Sequence, residues 1–178
     1  MFDQQMNERD LRIQSAQARA ITFMQGDPTR ARSKTTTTGV VGQGLACTIT
    51  QGDYTYVADL GRGMGGDAAG PSPSFFARAG IAACVAMAIK MCAANQGYDF
   101  ARVTVDVETD MSDLALWGIG EHSAAPIATK IDIAVVAELD DGTVAAIVET
   151  ALARDPWYLA LRDRQVVTTA VKQLPTAA

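Results

Sequence analysis

Three cysteines, one histidine and a glycine-rich loop are the groups of this chain that invite chemistry, and one thiol stands apart. Cys84 lies in the middle of a stretch from Phe75 to Cys92 that is apolar almost all round. A helix with no polar face must be covered on every side. A thiol so enclosed is either an inert small hydrophobe, the common state of a free cysteine in a core, or a nucleophile kept from water until a substrate arrives. Its own helix does not activate it, because the field of a helix N-terminus fades within the first turn and Cys84 lies well beyond that. Any lowering of its pKa has to come from a cation on another segment.

The other groups point elsewhere. Cys92 follows Cys84 by eight residues, which on an α-helix is ~12 Å, whereas a disulfide needs Cα atoms within ~7 Å. Cys47 alternates with Leu45 and Ile49 and reads as a core residue of a strand; the sequence leaves a contact with Cys84 open. His122 is the only histidine, with no neighbouring Cys or acid pair to make a metal site, and reads as a solvated loop residue. Five glycines fall between Gly61 and Gly70. Their loop lacks the Lys-Ser/Thr ending of a phosphate loop and the spacing of a dinucleotide site, so no cofactor is expected. Trp157 and Tyr158 read as aromatic packing on the core or as the wall of a pocket near Cys84.

The loop and helix together resemble a known family. The pattern is Gly65-Gly66, then Gly70-Pro71-Ser72-Pro73, then a small-residue helix carrying Ala82-Ala83-Cys84. It extends through Gln96-Gly97-Tyr98 into Val103–Val107. This resembles OsmC and Ohr, the osmotically inducible and organic hydroperoxide resistance proteins, over roughly residues 60 to 110 and by order of elements to the C-terminus. The resemblance implies an α+β OsmC-like fold in which antiparallel sheets pack around a long buried central helix, in an intertwined homodimer. It also implies reduction of small organic hydroperoxides by cysteine.

The resemblance further implies that an Arg in the loop before the helix pairs with the thiolate. Arg62 takes that place if two inserted residues are allowed, with Arg30 and Arg32 as alternatives. Two family features are missing. The Glu that follows the first Pro of the helix is replaced by Ser74, and the second cysteine, in a late Cys-Pro pair, is replaced by Asp155 before Pro156. The implied site is therefore Cys84 with Arg62. Thiolate attack would give a sulfenic acid, and an external thiol reductant would have to resolve it. The alternatives are a non-enzymatic relative that holds a small apolar ligand in the dimer cleft, or a structural one with an inert Cys84.

The elements that must position these groups can be read from spacing. Residues 3 to 24 form a helix capped by Asp3 or Asn7 and stopped by Gly26-Asp27-Pro28. Thr35–Val41, Leu45–Thr50 and Tyr54–Asp59 are strands, the last two joined by a Gly52-Asp53 turn. The apolar helix spans Ser74–Ala94. Val103–Val107 and Ile127–Leu139 are strands flanking an irregular stretch, and Thr143–Ala153 is a helix. Asp155-Pro156 opens a short one, Val166–Val171 is a last strand, and Leu174–Ala178 is a tail. Strands, helix, strands, helix suit an α+β arrangement. Residues 1–178 are expected to form a single domain, with 1–26 as a helical extension.

Composition sets the outer limits. The chain has 178 residues, 48% of them hydrophobic, enough for one sizeable core. A net charge of −5 with no basic run argues against nucleic acid and anionic membrane as partners. Arg78 and Lys90 bracket only eleven uncharged residues, short of the ~20 of a membrane span. The polar start Met1-Phe2-Asp3-Gln4-Gln5 lacks the apolar core of an export signal. Free thiols in a reducing cytoplasm are therefore expected.

Overall fold

The computed structural model describes residues 6–121 and 123–173. Asp3, His122 and the tail Leu174–Ala178 lie outside the described residues.

The first helix, α1, runs Glu8–Gly26. Asn7 caps it, its side-chain oxygen accepting from the amides of Arg9 and Asp10, both at 3.0 Å. A 3-10 turn at Pro28–Ala31 follows. Strands β1 (Thr38–Val41), β2 (Cys47–Gln51) and β3 (Tyr54–Ala58) make an antiparallel sheet in that order. Gln51 pairs with Tyr54 across the Gly52-Asp53 turn, as the alternation requires.

The central helix α2 is Pro73–Asn95. Pro73 fits the first turn, where its missing N–H costs nothing, and the Ser72 hydroxyl accepts from the Phe75 amide at 3.3 Å. Strands β4 (Arg102–Asp110) and β5 (Ala128–Val136) form a second antiparallel pair, with the four-residue helix α3 (Asp113–Leu116) between them. Helices α4 (Asp141–Leu152) and α5 (Pro156–Arg162) complete the order, capped by Asp140 and Asp155.

Both strands of the second sheet alternate. Val103, Val105, Ile133 and Val135 face inward, and Thr104, Asp106, Lys130 and Asp132 face out. The inward row meets Val85, Ile89 and Ala93 of α2 and Ile147 and Ala151 of α4, with Phe100 at the centre. Ile89, Phe100 and Ile147 are fully buried, each contributing roughly 1.5–3 kcal/mol from removal of apolar surface from water. Within this chain β4, α4, α1 and α5 pack against α2 but leave part of its surface uncovered. Phe75, Met87 and Met91 remain exposed, Met87 at 60%.

One expected strand is not formed. Val166–Val171 has β-branched side chains, but the segment carries no regular structure and Val166 and Val171 are 95% and 100% exposed. β-branching favours extended backbone, yet a strand also needs a neighbouring edge to bond; no strand of the described residues pairs with it.

By length and composition α2 could cross a membrane. Its two charged residues are committed inside the fold. Arg78 donates to the Thr109 hydroxyl at 3.2 Å. Lys90 donates to the Asp10 carboxylate at 2.6 Å, to Asp99 at 3.3 Å and to the Phe100 carbonyl, which fixes α1 against α2.

Candidate functional site

Cys84 projects from the middle of α2 and is half-buried. The groups that act on it come from the start of α5. They are the Asp155 carboxylate and the Trp157 backbone N–H, on a helix that packs against α2. Desolvation is the largest influence and pushes the thiol pKa up. The Asp155 carboxylate pushes the same way, by hydrogen bonding to the protonated form and by its charge, and the Trp157 N–H opposes them. Each sign is as expected, since burial and a nearby anion both disfavour a thiolate.

Asp155 is fully buried, at 0% exposure. One of its oxygens has a structural task, with Oδ1 accepting from the Tyr158 amide at 2.7 Å to cap α5. The other, Oδ2, accepts no hydrogen bond of normal geometry from the described residues. A buried carboxylate oxygen without a partner is costly, and such groups concentrate at functional sites. The sequence marks Asp155 as a helix cap; the fold adds that the same residue faces Cys84.

The remaining candidates are dispersed. Arg62 sits in an exposed 3-10 turn, Arg62–Met64, and is not among the groups acting on the thiol. Arg30 pairs with Asp27 at 3.1 Å and stacks over the Phe23 ring at 4.5 Å, and Arg32 is exposed. Ser74 lies in the first turn of α2. Cys47 is on β2, with Gly39 of β1 packed close to its sulfur. Cys92 accepts from the Gln96 side-chain amide at 3.3 Å and lines a cleft of about 410 Å³ with Gln17 and Arg154. All three cysteines are free. Another cleft, of about 450 Å³, is walled by Ile127, Thr129, Ile131, Tyr158 and Leu161. Cys84 does not line it. No cluster of three or more metal-ligating side chains occurs among the described residues.

The glycine-rich loop is held by a residue that sequence reading passes over. Asp59, 2% exposed, accepts from the amides of Leu60 (2.8 Å), Asp67 (3.1 Å) and Ala69 (3.0 Å). The Ala69 amide is the largest influence on its pKa; burial works against it, and the three amides together hold the carboxylate below its ordinary value. The loop closes so tightly that a Cβ on Gly66 would fall 2.1 Å from the Leu60 carbonyl oxygen, and one on Gly70 2.2 Å from that of Val57. Only glycine fits either position. A run of glycines with a single acid just before it was the available signal.

An α+β chain with antiparallel sheets, a long apolar helix and a thiol at its centre defines a class, and comparison with known proteins identifies it. The OsmC-like protein family profile matches residues 65–170, more than half of the chain. The chain belongs to that family. Among solved structures, the OsmC-like protein from Mycoplasma pneumoniae superposes with a TM-score of 0.63 at 14% identity, covering 73% of this chain and 88% of that one. The organic hydroperoxide resistance protein OsmC from Legionella pneumophila gives 0.52 at 22%, covering 73% and 90%. An organic hydroperoxide resistance protein from Elizabethkingia anophelis gives 0.51 at 15%, covering 74% and 89%. No curated protein sequence matches the chain. The expected OsmC-like α+β fold is thus the fold observed.

Proposed function

We propose that this protein reduces small organic hydroperoxides through Cys84 as a single-cysteine site, with an external low-molecular-weight thiol as reductant. Family membership supports a general role in peroxide or stress response. The observation that carries the finer reading is the pairing of Cys84 with Asp155: the fold brings the cysteine of the family pattern against a buried acid. Attack of the Cys84 sulfur on the peroxide O–O bond forms a sulfenic acid and an alcohol. A first external thiol then forms a mixed disulfide with loss of water. A second releases Cys84 as a thiol and departs as a disulfide.

Arg62 enters this proposal on the loop pattern alone. The protein is read as one domain acting as a homodimer in the reducing cytoplasm, without a cofactor. The uncovered part of α2 and the unpaired valines after residue 165 support the dimer, because neither is a stable surface for a lone chain. Sedimentation at micromolar concentration is expected to give a dimer; a stable monomer would overturn that part.

A second reading is favoured by one observation. Burial and Asp155 both push the thiol upward, which suits a protein that holds a small apolar ligand without reacting. Activity separates the two. Cys84→Ser is expected to abolish reduction of tert-butyl hydroperoxide supported by an external thiol, while Cys47→Ser and Cys92→Ser leave it largely intact. Reduction that survives Cys84→Ser, or that is lost equally on changing Cys92, would sink the proposal. A wild-type protein that binds the hydroperoxide without consuming it would establish the ligand-holding reading instead.

A further inference from the structure

We propose that Asp155 is the acid–base partner of Cys84: Oδ2 takes the thiol proton as sulfur attacks the peroxide and passes it to the departing alkoxide. This rests on the hydroperoxide reading above and assigns the one part of that chemistry the cysteine cannot supply. Two independent observations meet at this point. Oδ1 is committed to capping α5, which fixes the carboxylate, and Oδ2 is buried with no closed hydrogen bond. α5, which carries Asp155 at its start, packs against α2, which carries Cys84, and the carboxylate acts on the thiol there.

The step balances as Cys84–SH plus ROOH giving Cys84–SOH plus ROH. Sulfur donates an electron pair to the distal peroxide oxygen and is oxidised. The O–O bond breaks, and the proximal oxygen leaves as alkoxide and is reduced. The distal oxygen keeps its own hydrogen. The proton released from sulfur moves to Oδ2 and then to the alkoxide, so Asp155 ends as it began. An alkoxide is a poor leaving group unless it is protonated as it departs, and a positioned acid is effective there.

The same view accounts for a thiol held protonated at rest. Desolvation and the carboxylate keep Cys84 from ionising on its own. With the proton on Asp155, the carboxyl instead becomes a hydrogen-bond donor to the sulfur. Ionisation is then tied to the presence of a substrate that can take the proton onward, which protects the thiol from chance alkylation.

The test varies the leaving group. Asp155→Asn keeps an oxygen to cap α5 but cannot carry the proton. Oxidation of Cys84 is followed in a single turnover by dimedone trapping and mass spectrometry. With tert-butyl hydroperoxide, which expels an alkoxide, the variant is expected to react about 10²-fold more slowly than wild type. With peroxyacetic acid, which expels acetate and needs no proton, its rate should change little. Alkylation by iodoacetamide at neutral pH, where iodide leaves, should be faster than in wild type. Equal losses with both peroxides would overturn the relay, as would a gain with both. If Asp155→Asn does not fold, as judged by circular dichroism, the wild type decides the matter. Deuterium oxide should then slow the tert-butyl hydroperoxide step, where two proton transfers occur, more than the peroxyacetic acid step, where only the thiol proton moves, and equal isotope effects would overturn the relay. A wild type that iodoacetamide alkylates but neither peroxide oxidises would reject the proposed function itself, and the relay with it.

Discussion

Two buried carboxylates press on α2 from different elements, and their surroundings differ in kind. Asp10, 1% exposed, arrives on α1 and meets a cation: its Oδ2 accepts from Lys90 at 2.6 Å and from the Asn7 side-chain amide at 3.0 Å. Asp155, at 0%, arrives at the start of α5, has one oxygen satisfied, and faces a neutral thiol. Depth alone therefore does not define a site. A carboxylate matched by a cation holds shape, because the partner's charge balances its own. A carboxylate with an uncommitted oxygen beside a titratable group can exchange a proton. Asp59 belongs with Asp10, since three backbone amides saturate it.

The largest stability effect expected from this contrast is at Lys90. Lys90→Met leaves Asp10 buried and unpaired, and is expected to cost about 3 kcal/mol, read from the urea midpoint at constant slope. Adding Asp10→Leu should recover most of the loss. Asp155→Asn is expected to cost much less, because asparagine caps a helix about as well as aspartate. If the two single variants proved equally destabilising, the contrast between a matched and an unmatched carboxylate would fail.

The smallest effect is one of pH. The native Asp59 carboxylate is held below its ordinary value. Its contribution to stability is fully present above the unfolded-state pKa of an aspartate and is lost as pH falls through the lower native one. The loop from 59 to 70 should therefore keep its protection from amide exchange down through the usual aspartate range and lose it only below. Loss of protection beginning above that range would contradict the amide-saturated description. Asp59→Asn should make the loop's protection insensitive to pH in this window.

Much of the positioning frame was legible from local signals. Ser72-Pro73 and Asp155-Pro156 each announce a helix start through a cap and a proline, and α2 and α5 begin there. The turn at Gly52-Asp53 set the register of β2 and β3. What local signals do not carry is which distant side chains meet. Asp155 was visible as a cap and, through the resemblance, as the residue standing where a resolving cysteine would approach Cys84, but no local signal fixed that approach. Lys90 was visible as a charge that shortens an apolar run, but not as the partner of Asp10. Val166–Val171 failed for the complementary reason. Its composition describes a strand, but strand formation depends on an edge that the composition does not mention. The Arg62 pairing rests on the loop pattern alone and stands as part of the proposal.

The clasp between α1 and α2 also orders events in time. Lys90 and Asp99 are nine residues apart, so that half of the cluster can form as soon as its own stretch of chain is available. Asp10 is 80 residues from Lys90. Closing the longer separation carries the larger entropic cost, and contacts so far apart in sequence form slowly. On a ribosome, α1 is made before α2 and cannot form this clasp until the polypeptide beyond residue 90 has emerged. A helix synthesised before α2 is thus seated only after it, and its aspartate stays hydrated until the lysine that will replace that water is in position.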